Sequence, residues 1–135
     1  MRRGSLIKKS KKSIIIVCIA FVLLLVIGII AVRNVVKRAN SLLIQIPALS
    51  EISDGTYIGE YSVPPVSVKV AVTVEHYQMT DVDILQHENG LGSPAERVID
   101  DVIQNQSLDV DAISGATVSS KCILKAIENA LNKEK

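Results

Sequence analysis

The sequence is poor in cysteine and in aromatic residues, and this scarcity excludes several classes of protein. It contains 2 cysteines, no tryptophan and one phenylalanine in 135 residues. Cys18 and Cys122 are too few for a disulfide scaffold, and without a Cys-x-x-Cys pair neither a c-type haem nor an iron–sulfur cluster is expected. The two histidines, His76 and His87, are 11 residues apart with no cysteine nearby, so no metal centre is predicted.

Acidic residues are absent from the first 38 positions, and the charge of the chain is therefore unevenly distributed. Residues 1–38 hold nine of the 15 basic side chains, whereas residues 39–135 hold the other six and all 14 acidic side chains, a net charge of −8. A nucleic-acid-binding domain normally has the opposite sign, so nucleic acid is not expected as a partner. The length suits one small domain plus an appendage.

An uncharged run of 19 residues, 14–32, consists almost entirely of Ile, Val, Leu, Ala and Phe. As a helix rising about 1.5 Å per residue, it would be roughly 28 Å long, which is close to the hydrocarbon thickness of a bilayer. A cleaved signal peptide is the alternative, but its apolar region is normally only about 7–15 residues long. We therefore predict a retained transmembrane helix at 14–32, which makes the chain a single-pass protein of the cell membrane.

Basic residues flank this run unequally, with six before it and three after it. The positive-inside rule then predicts a basic cytoplasmic N-terminus at 1–13 and an extracytoplasmic position for the remainder of the chain. A juxtamembrane linker is predicted at 33–50, followed by a folded domain at 51–135.

The first half of the predicted domain has the pattern of β-strands. Valine occupies every second position from Val66 to Val74, which predicts a half-buried strand. Residues 56–62 and the stretch around Val82 predict neighbouring strands, with a hairpin turn at 76–79. Residues 108–113 are also strand-like.

Two helices are predicted in the second half of the domain. Ser93, Pro94 and Glu96 have the spacing of a helix start, and apolar residues follow on one face. A second helix is predicted from about Ser119 to the end of the chain, and Cys122 is expected to be a small apolar residue on its face. The buried stripe of this helix is predicted to contain Cys122, Ile123, Ala126, Ile127, Ala130 and Leu131, and its solvent face Lys121, Lys125, Glu128 and Asn129. We expect an α+β fold, with a mainly antiparallel sheet and two helices, preceded by one N-terminal transmembrane helix.

The segment from Asp111 to Ser119 is the most unusual one chemically. Its residues predict a strand, a glycine turn and hydroxyl groups that open a helix. The first N–H groups of a helix have no partner within it, and its dipole is positive at that end, so such a site can hold a phosphate. The plainer alternative is that Thr117 or Ser119 caps the helix and does nothing else.

The order of several short motifs resembles the FMN-binding domain family. In chain order these motifs are Asp54-Gly55-Thr56-Tyr57, the valine-rich hairpin, Gly90-x-Gly92 with Ala95-Glu96, and Asp111-x-x-Ser114-Gly115-Ala116-Thr117-x-Ser119. This domain occurs in flavin-carrying subunits of the Rnf complex and of the sodium-pumping NADH:quinone reductase, and in small anchored flavoproteins of extracellular electron transfer. The resemblance covers about residues 52–132, so the domain at 51–135 is identified as an FMN-binding domain.

The resemblance implies covalently bound FMN. In the family, the threonine of the last motif carries FMN through a phosphoester, and a flavin transferase attaches it using FAD and a divalent metal. Transferred to this sequence, Thr117 is the attachment point, and the recognition and contact residues are Asp111, Ser114, Gly115, Ala116 and Ser119. Lys121, one helical turn beyond Thr117, is placed to neutralise the charge of the phosphate.

The function predicted on this basis is that of a membrane-anchored, extracytoplasmic electron carrier without catalysis of its own. Its partners would be a flavin transferase, a membrane electron donor, an external acceptor and the lipid bilayer. Because a flavin ring needs an apolar stacking surface, one or more of Tyr57, Tyr61 and Tyr77 should lie near it, although strand packing is the commoner role. The alternative is a non-redox adaptor or sensory module of the same fold, which binds a partner or FMN reversibly.

Overall fold

The computed structural model describes residues 4–45, 48–88 and 93–132. The chain divides into two compact units, residues 1–34 and residues 35–135.

The first unit contains most of helix α1, which runs Gly4–Asn40. Its portion from Lys11 to Asn40 includes a window of mean hydropathy 3.6, none of which is buried inside the protein. The large apolar side chains between residues 14 and 32 are exposed, with Leu24 at 67%. The helix is therefore long and apolar enough to cross a membrane, as its composition predicts.

The second unit is built on a three-stranded antiparallel sheet. Strands β1 (Gly55–Val63), β2 (Val66–Glu75) and β3 (Gln78–Glu88) are neighbours in chain order, so β2 is central. Alternate residues of β2 from Val66 to Val74 are buried, which confirms the strand predicted from the period-two pattern.

Tight turns connect these strands. Val63 pairs with Val66 across Pro64-Pro65, whose peptide bond is cis. His76 and Tyr77 form the other turn with φ values of 52° and 63°, the left-handed backbone typical of a two-residue hairpin. The hairpin predicted between residues 76 and 79 is confirmed.

Helices cover one face of the sheet. A short 3₁₀-helix (Ser93–Arg97) leads into α2 (Val98–Asn105), and α3 (Thr117–Leu131) packs on β1 and β2. The apolar faces predicted for α2 and α3 are buried or partly buried in the core. The α+β fold predicted from the sequence is therefore confirmed, although α3 begins at Thr117, two residues before the predicted start.

Residues 108–113 form no regular secondary structure, so the predicted strand is wrong. The reason lies at Gln106, whose backbone is left-handed with φ 49°. Its side-chain amide donates to Met79 O and accepts from Met79 N–H, both at 2.8 Å. A side chain therefore bonds the backbone of β3 where an added strand would otherwise pair.

Glu128 was expected on the solvent face of α3, and this expectation is also wrong, because the residue is only 7% exposed. Lys125 Nζ lies 2.7 Å from Glu128 Oε2 and donates to Leu43 O at 3.1 Å. The ammonium group therefore compensates the carboxylate that burial would otherwise destabilise.

Gly59 allows α3 to lie directly on β1. A Cβ atom at Gly59 would overlap the backbone of Ala126 and Ala130. Asn129 Nδ2 donates to Glu60 O at 2.9 Å from the same part of the helix.

Helix α3 and strand β1 run in opposite directions, because Cys122 near the start of α3 contacts the backbone of Val63 at the end of β1. Thr117 therefore lies toward the end of the sheet that carries the β1–β2 turn.

Candidate functional site

The predicted site begins with a tight turn directly before α3. Ala116 N–H donates to Ile113 O at 2.9 Å and closes a four-residue turn around Ser114 and Gly115. Gly115 has φ +80°, the conformation that the third residue of a type II turn requires. An L side chain rarely adopts this backbone conformation, which explains why glycine occupies the position.

Ser120 fastens this turn to the helix. Its hydroxyl donates to Ala116 O at 3.0 Å and accepts the N–H of Ile113 at 3.0 Å, and the residue is fully buried. Ser120 is absent from the residues predicted from the sequence. Its position four residues after Ala116 is a usable signal, because a serine hydroxyl in a helix commonly reaches the carbonyl four residues earlier.

Helix α3 starts without a side-chain cap. Ala116 is the N-cap residue and makes no side-chain hydrogen bond, and Ser120 N–H bonds back to Ala116 O at 2.9 Å. The N–H groups of Thr117, Val118 and Ser119 precede this bond and have no acceptor within the helix. Since Thr117 and Ser119 both follow the N-cap, the interpretation that either residue is the helix cap is wrong.

Thr117 is the first residue of α3, and its side chain is half-buried. Among the described residues, no hydrogen bond involves its hydroxyl. The hydroxyl is therefore free at the positive end of the helix, next to N–H groups that also lack helical partners. These features fit an attached phosphate, because N–H donors and the helix dipole both favour negative charge there.

The other predicted site residues differ in accessibility. Asp111 and Ser114 are exposed, whereas Ser119 is only 2% exposed. Lys121 is half-buried, and neither Lys121 nor Asp111 forms an ion pair within the described part of the chain. The turn thus brings Ser114, Gly115, Ala116 and Thr117 together. The ammonium group of Lys121, one helical turn beyond Thr117, has no ionic partner among the described residues.

The Gly90-x-Gly92 motif lies outside the described residues, but the residues that flank it are described. His87 Nδ1 at the end of β3 lies 2.9 Å from Glu96 Oε1 of the 3₁₀-helix. The His87 side chain is 3% exposed, and the 3₁₀-helix packs against α3. Within the described ranges, no group of three or more His, Cys, Asp or Glu side chains is arranged to hold a metal ion.

Cys122 packs under the first turns of α3 and is fully buried. Burial raises the pKa of the Cys122 thiol, and a hydrogen bond with the Val63 backbone partly opposes this effect. A thiol that keeps its proton is a weak nucleophile. Cys122 therefore packs in the core as a small apolar residue on a helix face, as predicted.

A cavity of about 430 Å³ lies at the opposite end of the sheet, and it is lined by Ser50, Glu51, Ile52, Ser53, Asp54, His76 and Tyr77. It is separated from Val63 by the length of β1, about 30 Å for nine residues at roughly 3.3 Å each. Tyr77 is therefore remote from Thr117. Tyr61, half-buried and two residues before Val63, is the tyrosine placed toward the Thr117 end.

Comparisons with known proteins include two matches to this domain. The family model described as FMN-binding domain matches residues 64–132, a span that includes every predicted site residue. NADH:acrylate oxidoreductase of Vibrio harveyi is 38% identical over 66 residues, which are 47% of this chain and 7% of that protein. The chain thus spans only a small part of that relative's length.

Proposed function

The chain belongs to the FMN-binding domain family, and from this premise we propose that it is a membrane-anchored electron carrier with FMN joined covalently to Thr117. The observation that carries the proposal is the start of α3. There a threonine hydroxyl without a hydrogen bond among the described residues stands beside three N–H groups that lack helical acceptors. A phosphate ester at this position would accept hydrogen bonds from those groups.

The surrounding residues keep this position in place. Ser120 and the glycine turn fix the backbone ahead of Thr117, so the N–H groups are oriented before any ligand arrives. Lys121 adds a positive charge one turn away, which lowers the electrostatic cost of a phosphate. Asp111 is exposed ahead of the turn, where we assign it to recognition by the flavin transferase.

Attachment from FAD would form a bond between Thr117 Oγ1 and phosphorus, break the pyrophosphate of FAD, release AMP and remove the hydroxyl proton. When bound, FMN supplies one- and two-electron transfer chemistry. We propose that the protein contributes tethering and orientation, and that it has no substrate turnover of its own. Its electrons would come from a membrane donor and pass to an external acceptor.

Covalent attachment matches the extracytoplasmic position proposed for the domain. Six basic residues before the apolar run and three after it favour a cytoplasmic N-terminus. A flavin outside the membrane cannot be replenished from the cytoplasmic pool, and a phosphoester prevents its loss by dissociation. The similarity to an oxidoreductase named for NADH and acrylate concerns 7% of that protein, so it supports a redox role without indicating a substrate.

The decisive experiment is co-expression of the full chain with a flavin transferase, followed by intact-mass measurement and fluorescence imaging of a denaturing gel. We expect one FMN adduct on the wild-type chain and none on Thr117→Ala. Thr117→Ser retains a hydroxyl and should be labelled, and Thr80→Ala, an exposed threonine of β3, is the matched control and should label normally.

Two results would overturn the proposal. One is an unmodified wild-type chain when the same transferase labels another substrate in the same cells. The other is an adduct that survives in Thr117→Ala, which would place the flavin on a different residue. Flavin that co-purifies with the native protein but is lost on denaturation would support the reversible-binding alternative instead.

A further inference from the structure

The sheet has one face that the described elements of the second unit leave uncovered. Side chains on β1 and β2 alternate between the buried side under α3 and the opposite side, which we call the outer face. Thr56 Oγ1 and Thr73 Oγ1 lie 3.1 Å apart on it, which confirms that neighbouring strands contribute to one surface. This surface plays no part in the site around Thr117.

The outer face is strongly acidic. The ionisable side chains on it are five carboxylates and one ammonium group, contributed by Glu60, Glu75, Asp81, Asp83, Glu88 and Lys69. All five acidic residues are exposed, whereas Lys69 is half-buried. The face therefore has a net charge of −4, half of the net −8 carried by residues 39–135.

Two β-bulges in β3 increase the number of outward side chains. The register passes from Lys69↔Gln86 to Val70↔Ile84 and thereby leaves Leu85 as an extra residue. It shifts again beside Thr73, where Thr80 is extra and Asp81 is the paired residue. A bulge directs an additional side chain to one face of a strand. The two extra residues of β3, Thr80 and Leu85, are both exposed, so each bulge adds a side chain to the outer face.

Two exposed apolar side chains accompany these charges. Ile58 on β1 is 46% exposed and pairs with Ala71 of β2, whose partner on β3 is Asp83. Leu85 on β3 is 53% exposed and lies next to Gln86, the partner of Lys69. Apolar side chains surrounded by charged ones are typical of a protein docking surface, where the apolar centre is desolvated and the rim steers association.

We propose that the outer face binds a partner protein that presents lysine or arginine side chains around an apolar contact. A second copy of this chain would place one net charge of −4 against another, which opposes self-association. The face measures roughly 30 Å by 15 Å, about 450 Å², less than the 800 Å² or so per partner of a stable complex. Its size and charge suit a transient, electrostatically steered partner, and the interaction does not depend on the flavin.

The test uses the full chain produced without a flavin transferase and placed in nanodiscs of neutral phosphatidylcholine. The probe is a small basic cytochrome c, with the same protein carrying succinylated lysines as the charge-reversed control. We expect the basic probe to bind more weakly as salt rises and the succinylated probe not to bind. Because no flavin is present, failure of the flavin proposal leaves this result unaffected.

Variants with matched charge locate the surface. Asp81→Asn combined with Asp83→Asn should weaken binding about tenfold, whereas Asp100→Asn with Asp109→Asn, exposed residues outside the sheet, should change it less than about twofold. Leu85→Ser should weaken binding about fivefold, and Leu43→Ser, which is more exposed, should have no effect.

The proposal is overturned if both double variants weaken binding equally, because the attraction would then reflect net charge alone. It is also overturned if the succinylated probe binds as well as the basic one. Analytical ultracentrifugation of the chain without a probe tests whether a second copy of the chain occupies the outer face instead. A dimer that Leu85→Ser dissociates would make the face a contact between two copies and would contradict the proposal.

Discussion

The Ser120 hydroxyl lies 3.0 Å from the N–H of Ile113, seven residues earlier in the chain, and joins the glycine turn to the first turn of α3. Ser120 is fully buried and Ile113 is half-buried. The position of Thr117 at the helix start therefore depends on a serine that is not expected to contact the flavin.

Replacing Ser120 with alanine should destabilise the domain by about 1–3 kcal/mol, because the Ile113 N–H loses its acceptor. The measurement is urea unfolding followed by circular dichroism. Ser119→Ala is the matched control, since it removes a hydroxyl from the adjacent buried position without breaking that bond. Equal stability of Ser120→Ala and wild type would show that the hydrogen bond between Ser120 and Ile113 contributes nothing to the free energy of unfolding.

Substitution of Gly115 tests the backbone of the turn. A Cβ atom there would meet nothing within 4 Å, so any cost of Gly115→Ala arises from the left-handed φ of +80°. We expect a loss of about 1–2 kcal/mol and slower flavin attachment. Gly115→Asn should be milder, since asparagine tolerates this conformation better. Thermal unfolding and the time course of labelling measure the two effects, and an alanine variant as stable as wild type would contradict the assignment.

The buried thiol of Cys122 predicts a pH dependence of stability. Because burial raises its pKa in the folded state, the folded chain holds the thiol proton more tightly than the unfolded chain. This contribution is complete below the unfolded pKa of about 8.5 and is lost as pH rises above it. Unfolding free energies measured from pH 7 to pH 10 should therefore fall, and Cys122→Ala should reduce that slope even though it also lowers stability at pH 7.

The proposed orientation predicts where an added cysteine can be labelled. In a Cys18→Ser background, Ser62→Cys places an exposed thiol on β1, while Cys122 stays buried. An impermeant maleimide applied to intact cells should label Ser62→Cys. Ser5→Cys, in the predicted cytoplasmic N-terminus, should react only after the membrane is permeabilised. The reverse pattern would place the domain in the cytoplasm.

Local periodicity in the sequence predicted the elements whose burial follows a simple repeat. The alternating valines of β2 and the apolar stripe of α3 appear as expected because each element buries one face against the other. Tertiary contacts determined the features that local periodicity did not predict. Gln106 bonds the β3 edge instead of leading into a fourth strand, and Lys125 allows Glu128 to be buried.

The candidate site was predictable only through its motif. Thr117 and Gly115 are recognisable from the Ser-Gly-Ala-Thr-x-Ser pattern, and their turn and helix start agree with it. The role of Ser120 was not recognised, because two adjacent serines on a helix look equivalent until the fold shows which one faces the preceding turn.

The bond between Gln106 and Met79 has a consequence for how the protein behaves among its own copies at high concentration. An outermost strand with free backbone groups is a template on which another chain can polymerise into extended β-structure. The Gln106 amide occupies both the N–H and the carbonyl of Met79. The Gln106 side chain therefore blocks pairing with another chain at one position of the edge strand β3. We expect Gln106→Ala to form fibrils sooner than wild type.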